Sequence, residues 1–285
     1  MKYDFMYEYR STFHIARMAK VLQVSVSGYY KWIRRRNAPP TEKDLSDQQV
    51  SERIEELFRK SKGSFGIRKV TSRLRESQQI NHKRVERLMK KRGLFSKTSR
   101  QYIVTTDSDH DEPIAENLLN RDFHAERPNE KMVSDTTVIM TAQGRLYVAA
   151  ILDLYGRIPV GMAMSRTNDR FLVMEALKDM EDRGCGKPGC IVHSDRGSTY
   201  ASKEYRQLLE HYGLVCSMSR KGDCWDNAPM ESFWGKMKGE WLKPRYKRIN
   251  DAVMDVYEYV WDFYPTRRPH EALGYATPKE VYLSK

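Results

Sequence analysis

The sequence contains no run of eighteen apolar residues, so no membrane-spanning helix is expected. Residues 1–30 also lack the basic, apolar, small-residue order of a secretory leader, and a cytoplasmic location is the expectation. Cysteine is scarce: of 285 residues only Cys185, Cys190, Cys216 and Cys224 are cysteine, and none forms the CxxC pair of a structural zinc site. Cys185, Cys190 and His193 lie near one another in the chain, but His193 belongs to a different motif, HSDRGSTY, so reduced thiols are the simpler account. A sustained a/d heptad pattern is missing too, and with it any evident coiled coil.

Positive charge is plentiful and unevenly placed. The net charge is +12, with 25 Lys or Arg against 10 Asp or Glu in residues 1–100 and 25 against 28 in residues 101–285. A basic block joined to a slightly acidic one suits a polyanion-binding module attached to a part that concentrates metal ions. Nucleic acid is the obvious polyanion.

Along the chain, Ile15, Met18, Ala19 and Leu22 recur at helical spacing, pause at Gln23-Val24-Ser25, and resume toward Trp32. This reads as a helix-turn-helix with Ser25 as cap and Asn37-Ala38-Pro39-Pro40 as stop, and a hairpin that only packs is equally compatible with the pattern. A second such pair follows, with Ile67, Val70 and Leu74 before Ser77-Gln78-Gln79, then Asn81 as cap and Val85, Leu88 and Met89 as the apolar side. Its other face carries Lys83, Arg84, Arg87, Lys90 and Lys91, which suits phosphates or a major groove. The expected organisation is 1–60 and 61–100 as two all-α helix-turn-helix regions, 101–128 as a linker with an acidic cluster, and 129–285 as the main core. Leu118, Leu119 and Phe123 in that linker require burial.

In the core, three apolar β-rich runs at 132–140, 145–153 and 158–164, separated by short turns, predict an antiparallel meander. Helix, strand, helix, strand and helix follow, with strands at 190–195 and 214–218. Three carboxylates stand out: Asp135 in the first strand, Asp195 at the end of the fourth, and Glu231 on the helix after the fifth, with thirty-five residues between the last two. Asp226 or Asn227 is placed to cap that helix, Pro229 is tolerated in its first turn, and Lys238 follows Glu231 by seven, nearly on the same edge. Such a trio suits a pair of divalent ions roughly 3.5–4 Å apart that activate a hydroxyl and stabilise a leaving oxygen at a phosphodiester. Asp153 is either a second acid behind the site or a turn former at its strand end. A helix at 249–264 closes the core.

The strings HSDRGSTY, SRKGDCWDNAPMESFW and RRPHEALGYATPKEV, with the 195-to-231 spacing and Asp153 in AAILDLYGRIPVGM, resemble the B-frame product of the IS-three family of insertion-sequence transposases. The resemblance covers nearly the whole chain. It implies a ribonuclease-H-like α/β core with a mixed five-stranded sheet, strands one and four adjoining. It also implies Asp135, Asp195 and Glu231 as catalytic metal ligands, two Mg²⁺ or Mn²⁺ ions, and Lys238 as a contact to the element's end. His193 and Asn227 fall in matching strings as supporting residues. The implied activity is nicking of insertion-sequence ends and joining of the 3′-hydroxyl to another phosphodiester. A metal-dependent nuclease that never joins strands and a DNA-binding regulator with a decayed core are the alternatives. Implied partners are DNA, further copies of the chain on DNA, and an upstream A-frame product that supplies the missing coiled coil. The family usually has Trp, Gln and Asn where Met132, Thr199 and Pro265 stand, departures that leave every candidate ligand in place.

Overall fold

The computed structural model describes residues 1–96, 113–220 and 224–284, in two compact units, Met1–Glu52 and Arg53–Lys285. In the first, α1 (Lys2–Glu8), α2 (Ile15–Leu22) and α3 (Val26–Asn37) enclose Met6, Met18, Ala19 and Tyr29. The expected α2–α3 pair forms because Gln23 takes a left-handed conformation that ends α2, and Ser25 Oγ accepts the Gly28 N–H at 3.0 Å to start α3. Helix α1 was not foreseen, since its Tyr3, Met6 and Tyr7 pack on Tyr29 and Trp32 through tertiary contacts rather than a strong sequence period.

Helix α4 (Glu42–Lys60) leads into the second unit. There α5 (Ile67–Arg75) and α6 (His82–Lys91) bury Val70, Leu74, Val85, Leu88 and Met89 between them. Asn81 caps α6 by accepting the Lys83 N–H at 3.0 Å. The acidic cluster of the expected linker lies outside the described residues, but 113–128 runs over the core. Of its three apolar residues only Leu119 is fully buried, while Leu118 stays 42% exposed. The Leu118 N–H donates to Ser217 Oγ at 2.9 Å, so the backbone docks and the side chain faces out.

The main layer is a five-stranded sheet in the order β3-β2-β1-β4-β5. β1 (Lys131–Thr141), β2 (Gly144–Asp153) and β3 (Ile158–Ser165) form the antiparallel meander, and β4 (Ile191–Ser194) and β5 (Val215–Met218) add in parallel beside β1. Helix α7 (Arg170–Asp182), capped by Asp169, lies against β3 so closely that a Cβ on Gly161 would stand 2.4 Å from the Ala176 carbonyl. Helices α8 (Ser198–Ala201) and α9 (Lys203–His211) complete a core containing Leu172, Leu177, Val192, Tyr200 and Tyr205.

Helix α10 (Ala228–Lys236) carries Glu231 and passes into a π-helical stretch, Met237–Trp241. Helix α11 (Ile249–Glu258) likewise continues as a π stretch, Tyr259–Arg267, rather than as the uninterrupted α-helix expected over 249–264. Pro265 lies inside that stretch, where its missing N–H and ring are incompatible with regular α-helical bonding. Phe233, Trp241, Tyr259, Phe263 and Tyr264 stack between the two segments, and α12 (Pro278–Tyr282) ends the chain's described part.

Candidate active site

Adjacent parallel strands bring the first two acids together. β1 and β4 pair Met132 with Val192 and Val133 with His193, and Asp135 and Asp195, each two residues beyond this last pair, are near enough for their carboxylates to repel. One Asp135 oxygen accepts the Thr136 N–H at 2.8 Å, and Asp195 Oδ1 accepts the Gly197 N–H at 2.9 Å, which fixes the turn into α8.

The third acid arrives on α10. Neither Asp226 nor Asn227 caps this helix by a side-chain bond, contrary to expectation. Asn227 occupies the N-cap position, but its Nδ2 instead donates to the Ser134 carbonyl at 3.0 Å, tying the start of α10 to β1 next to Asp135. Asp226 is fully buried and accepts from Asn117, Arg121 and the backbone and guanidinium of Arg220. The Arg220 guanidinium thereby holds its carboxyl far below the usual carboxylate range. Pro229, Met230, Phe233 and Trp234 are buried, which orients Glu231 along the half-exposed edge.

The three acids share one electrostatic environment. Burial first, then the neighbouring Asp195 carboxylate, and more weakly Glu231, raise the Asp135 pKa well above the ordinary carboxylate value. Lys238 belongs to the same field: burial lowers its pKa while Asp135 opposes the shift. The change from α to π geometry after Lys236 means that Lys238 does not follow Glu231 in simple α-helical phase, yet it still faces Asp135. The Trp234 indole N–H lies near enough to favour ionised Asp135 without closing a hydrogen bond. Among the described residues no three acidic, His or Cys side chains converge to metal-ligating positions. The three carboxylates offer only hard oxygen atoms and repel one another, a chemistry that suits a divalent cation, although they do not converge to ligating positions here.

Both His193 ring nitrogens are taken by hydroxyls, Nδ1 with Ser217 at 2.8 Å and Nε2 with Ser219 at 3.1 Å, and burial pushes its pKa down to about 4. It therefore ties β4 to β5 as a neutral ring. Asp153 accepts the N–H groups of Asn129, Tyr155 and Gly156 and is the turn former of its two alternatives. On α6, Lys83, Arg87, Lys90 and Lys91 are exposed and Arg84 is half-buried. Arg92 pairs with Glu55 at 2.5 Å.

Sequence reasoning missed the Asp226 cluster and the Ser134–Tyr200 hydroxyl pair at 3.0 Å behind Asp135. Asp226 looked like a cap, because two of its partners, Asn117 and Arg121, lie more than a hundred residues away and the third, Arg220, lies six residues before it in no local turn pattern.

Residues 125–224 match the family described as "Integrase core domain", 212–278 match a second family of that description, and 45–102 match an "HTH-like domain". The chain is 39% identical over 264 residues to the "Insertion element IS600 uncharacterized 31 kDa protein" of Shigella sonnei, covering 92% of this chain and 96% of that one. It is 34% identical over 283 residues to "Transposase InsF for insertion sequence IS3A" of Escherichia coli (strain K12), covering 98% of each. Among solved structures, a simian T-cell lymphotropic virus intasome chain matches with a TM-score of 0.48 and 11% identity, over 72% of this chain and 68% of that one.

Proposed function

Because this chain belongs to the IS3 family of insertion-sequence transposases, DNA-cutting and DNA-joining enzymes with an integrase core, we propose that Asp135, Asp195 and Glu231 form its catalytic centre. The observation that carries this assignment is the convergence of the three carriers, β1 and β4 as parallel neighbours and α10 tied to β1 at Ser134, and the raised Asp135 pKa, caused by burial and by the Asp195 and Glu231 carboxylates, agrees with it. Repelling carboxylates are unfavourable without a counter-ion, which a divalent cation would supply.

The centre would be held by Asp135, Asp195 and Glu231 around two Mg²⁺ or Mn²⁺ ions, which when bound activate a water or 3′-hydroxyl and stabilise the leaving oxygen. The residues' own part is positional. The β1–β4 register fixes Asp135 against Asp195, and the Asn227 amide on the Ser134 carbonyl fixes the start of the Glu231 helix. His193, neutral and bonded to two serines, keeps β4 and β5 together beneath Asp195. Lys238 would offer its ammonium to a phosphate next to the scissile bond at the element's end. The exposed Lys83, Lys90 and Lys91 of α6, with Arg84 and Arg87, support flanking DNA contact through phosphates or a groove.

Partners follow from the same reading: inverted-repeat ends, target DNA, further copies of this chain on DNA, and an upstream A-frame product bringing a coiled coil. The setting is the bacterial cytoplasm, at the nucleoid. The experiment is strand transfer of a labelled insertion-sequence end with Mg²⁺ or Mn²⁺. Asp135→Asn, Asp195→Asn and Glu231→Gln should each lose nicking and joining while keeping DNA affinity. Metal-dependent joining retained by any one variant removes that residue from the centre, and cleavage without joining by the wild type marks a nuclease instead.

A further inference from the structure

A second cationic feature lies on another flank of α10. Lys236 follows Glu231 by five residues, which turns it about 140° round the helix, away from the carboxylate edge. It opens into a pocket of about 390 Å³ between the first turn of α5 and the Arg268 segment. That volume fits a phosphorylated sugar or one nucleotide of a strand.

Five observations describe what the pocket is built to receive. Among the described residues, Arg68, Lys69, Lys236 and Arg268 line it against Glu240 and Glu271. The two carboxylates are already engaged: Glu240 receives Arg268 at 2.7 Å and Lys69 at 2.8 Å, and Glu271 receives Arg68 at 3.2 Å. Lys236 makes no hydrogen bond or ion pair among the described residues, and burial, with Arg268 nearby, pushes its pKa down to about 8. Ser64, a residue only 4% exposed, also lines the pocket, and its hydroxyl has no hydrogen-bond partner among the described residues. Finally, α5 begins at Gly66 without a side-chain cap, so the amides of its first turn meet the same space.

A partly dehydrated ammonium, an orphan buried hydroxyl and an uncapped helix start are each unfavourable alone, and an oxyanion is the ligand chemistry that suits all three. We propose that this pocket binds a phosphate group of a bound DNA strand, through Lys236, Ser64 and the first turn of α5. The choice of DNA as the source of that phosphate rests on the transposase reading. The pocket would clamp the DNA between the first turn of α5 and the core, on a different flank of α10 from Glu231.

The test is fluorescence anisotropy of the full chain with a labelled duplex end in EDTA, so that binding is read without chemistry, across a salt series. Lys236→Met should weaken binding about eightfold at 0.1 M salt and lower the log–log salt slope by about one. Lys236→Arg should keep the slope, and Ser64→Ala should weaken binding without altering it. Melting of Lys236→Met at or above the wild-type temperature shows that the fold is intact. Unchanged affinity and slope in Lys236→Met overturn the proposal, while metal-dependent joining by the same preparation leaves the catalytic reading standing. If inorganic phosphate raises the melting temperature of the wild type but not of Lys236→Met, and the DNA slope is unaltered, the pocket serves a free phosphate compound and the DNA assignment is overturned.

Discussion

Asp226→Ala removes the acceptor of five hydrogen bonds, from Asn117 Nδ2 at 2.9 Å, Arg121 Nε at 3.0 Å, and Arg220 N, Nε and Nη2 at 2.9, 3.0 and 2.8 Å. The carboxylate is 0% exposed, but Arg121 and Arg220 are 47% and 48% exposed, so their guanidiniums rehydrate when it is lost. Each half-exposed ion pair therefore counts for about 0.5 kcal/mol rather than the 3–5 kcal/mol of breaking a fully buried pair. The Arg220 N–H and the Asn117 amide lose their acceptor in a tighter setting, at about 1 kcal/mol each. The expected loss is about 3 kcal/mol for Asp226→Ala, and about half that for Asp226→Asn, which keeps one acceptor oxygen. In urea this moves the midpoint down by about 1 M for a slope near 3 kcal/mol/M. Because these partners anchor 113–121 and the start of α10, strand joining should fail at a lower temperature in the variant than in the wild type. A destabilisation under about 0.5 kcal/mol, or additivity with Arg220→Ala in a double-mutant cycle, would refute the reasoning.

The remaining expectations concern charge. Asp135→Asn should raise stability in EDTA by about 1 kcal/mol, since it deletes a charge that burial and Asp195 disfavour. Added Mg²⁺ should raise the melting temperature of the wild type and not of this variant, and equal behaviour of the two would remove the metal assignment. His270 is 4% exposed, and burial with Lys236, Arg268, Arg157 and Lys69 around it pushes its pKa down to about 3. The unfolded chain thus binds the extra proton first, so this contribution is complete above pH 6.5 and is lost as pH falls toward 3, about 2 kcal/mol of it by pH 5. His270→Gln should flatten the difference in stability between pH 7 and pH 5, and an equally steep variant would disprove a buried neutral ring. Lys238→Ala should weaken discrimination of the cognate end, whereas Lys83→Ala with Lys90→Ala should weaken all DNA and make its salt dependence shallower by about two. Binding assays on cognate and random duplexes separate the two effects.

Much of this arrangement was legible because it rests on local patterns. Alternating apolar runs around short turns gave the β1–β3 meander, and Ser25 and Asn81 gave the starts of α3 and α6 by bonds within three residues. Asp135, Asp195 and Glu231 were singled out by motif resemblance, and their expected places, on the first strand, at the end of the fourth and on the helix after the fifth, agree with the fold. The misreadings share a physical origin. Asn227 and Asp226 have the chemistry of caps, yet their polar atoms found distant partners, the Ser134 carbonyl and Arg121, which satisfied them in place of the helix start. The π stretches at Met237–Trp241 and Tyr259–Arg267 leave no clear mark in residue periodicity, because packed aromatic rings from two segments select them.

By itself the sequence determined the sheet, most of the helices and their order, and it singled out the three acids as candidates, since secondary structure and residue chemistry are set largely by neighbours a few positions apart. Tertiary structure alone decided the shared field of the three carboxylates, the enclosure of Asp226 and the pocket around Lys236. Each depends on groups far apart in the chain being desolvated together, and burial, unlike periodicity, is a property of the assembled fold.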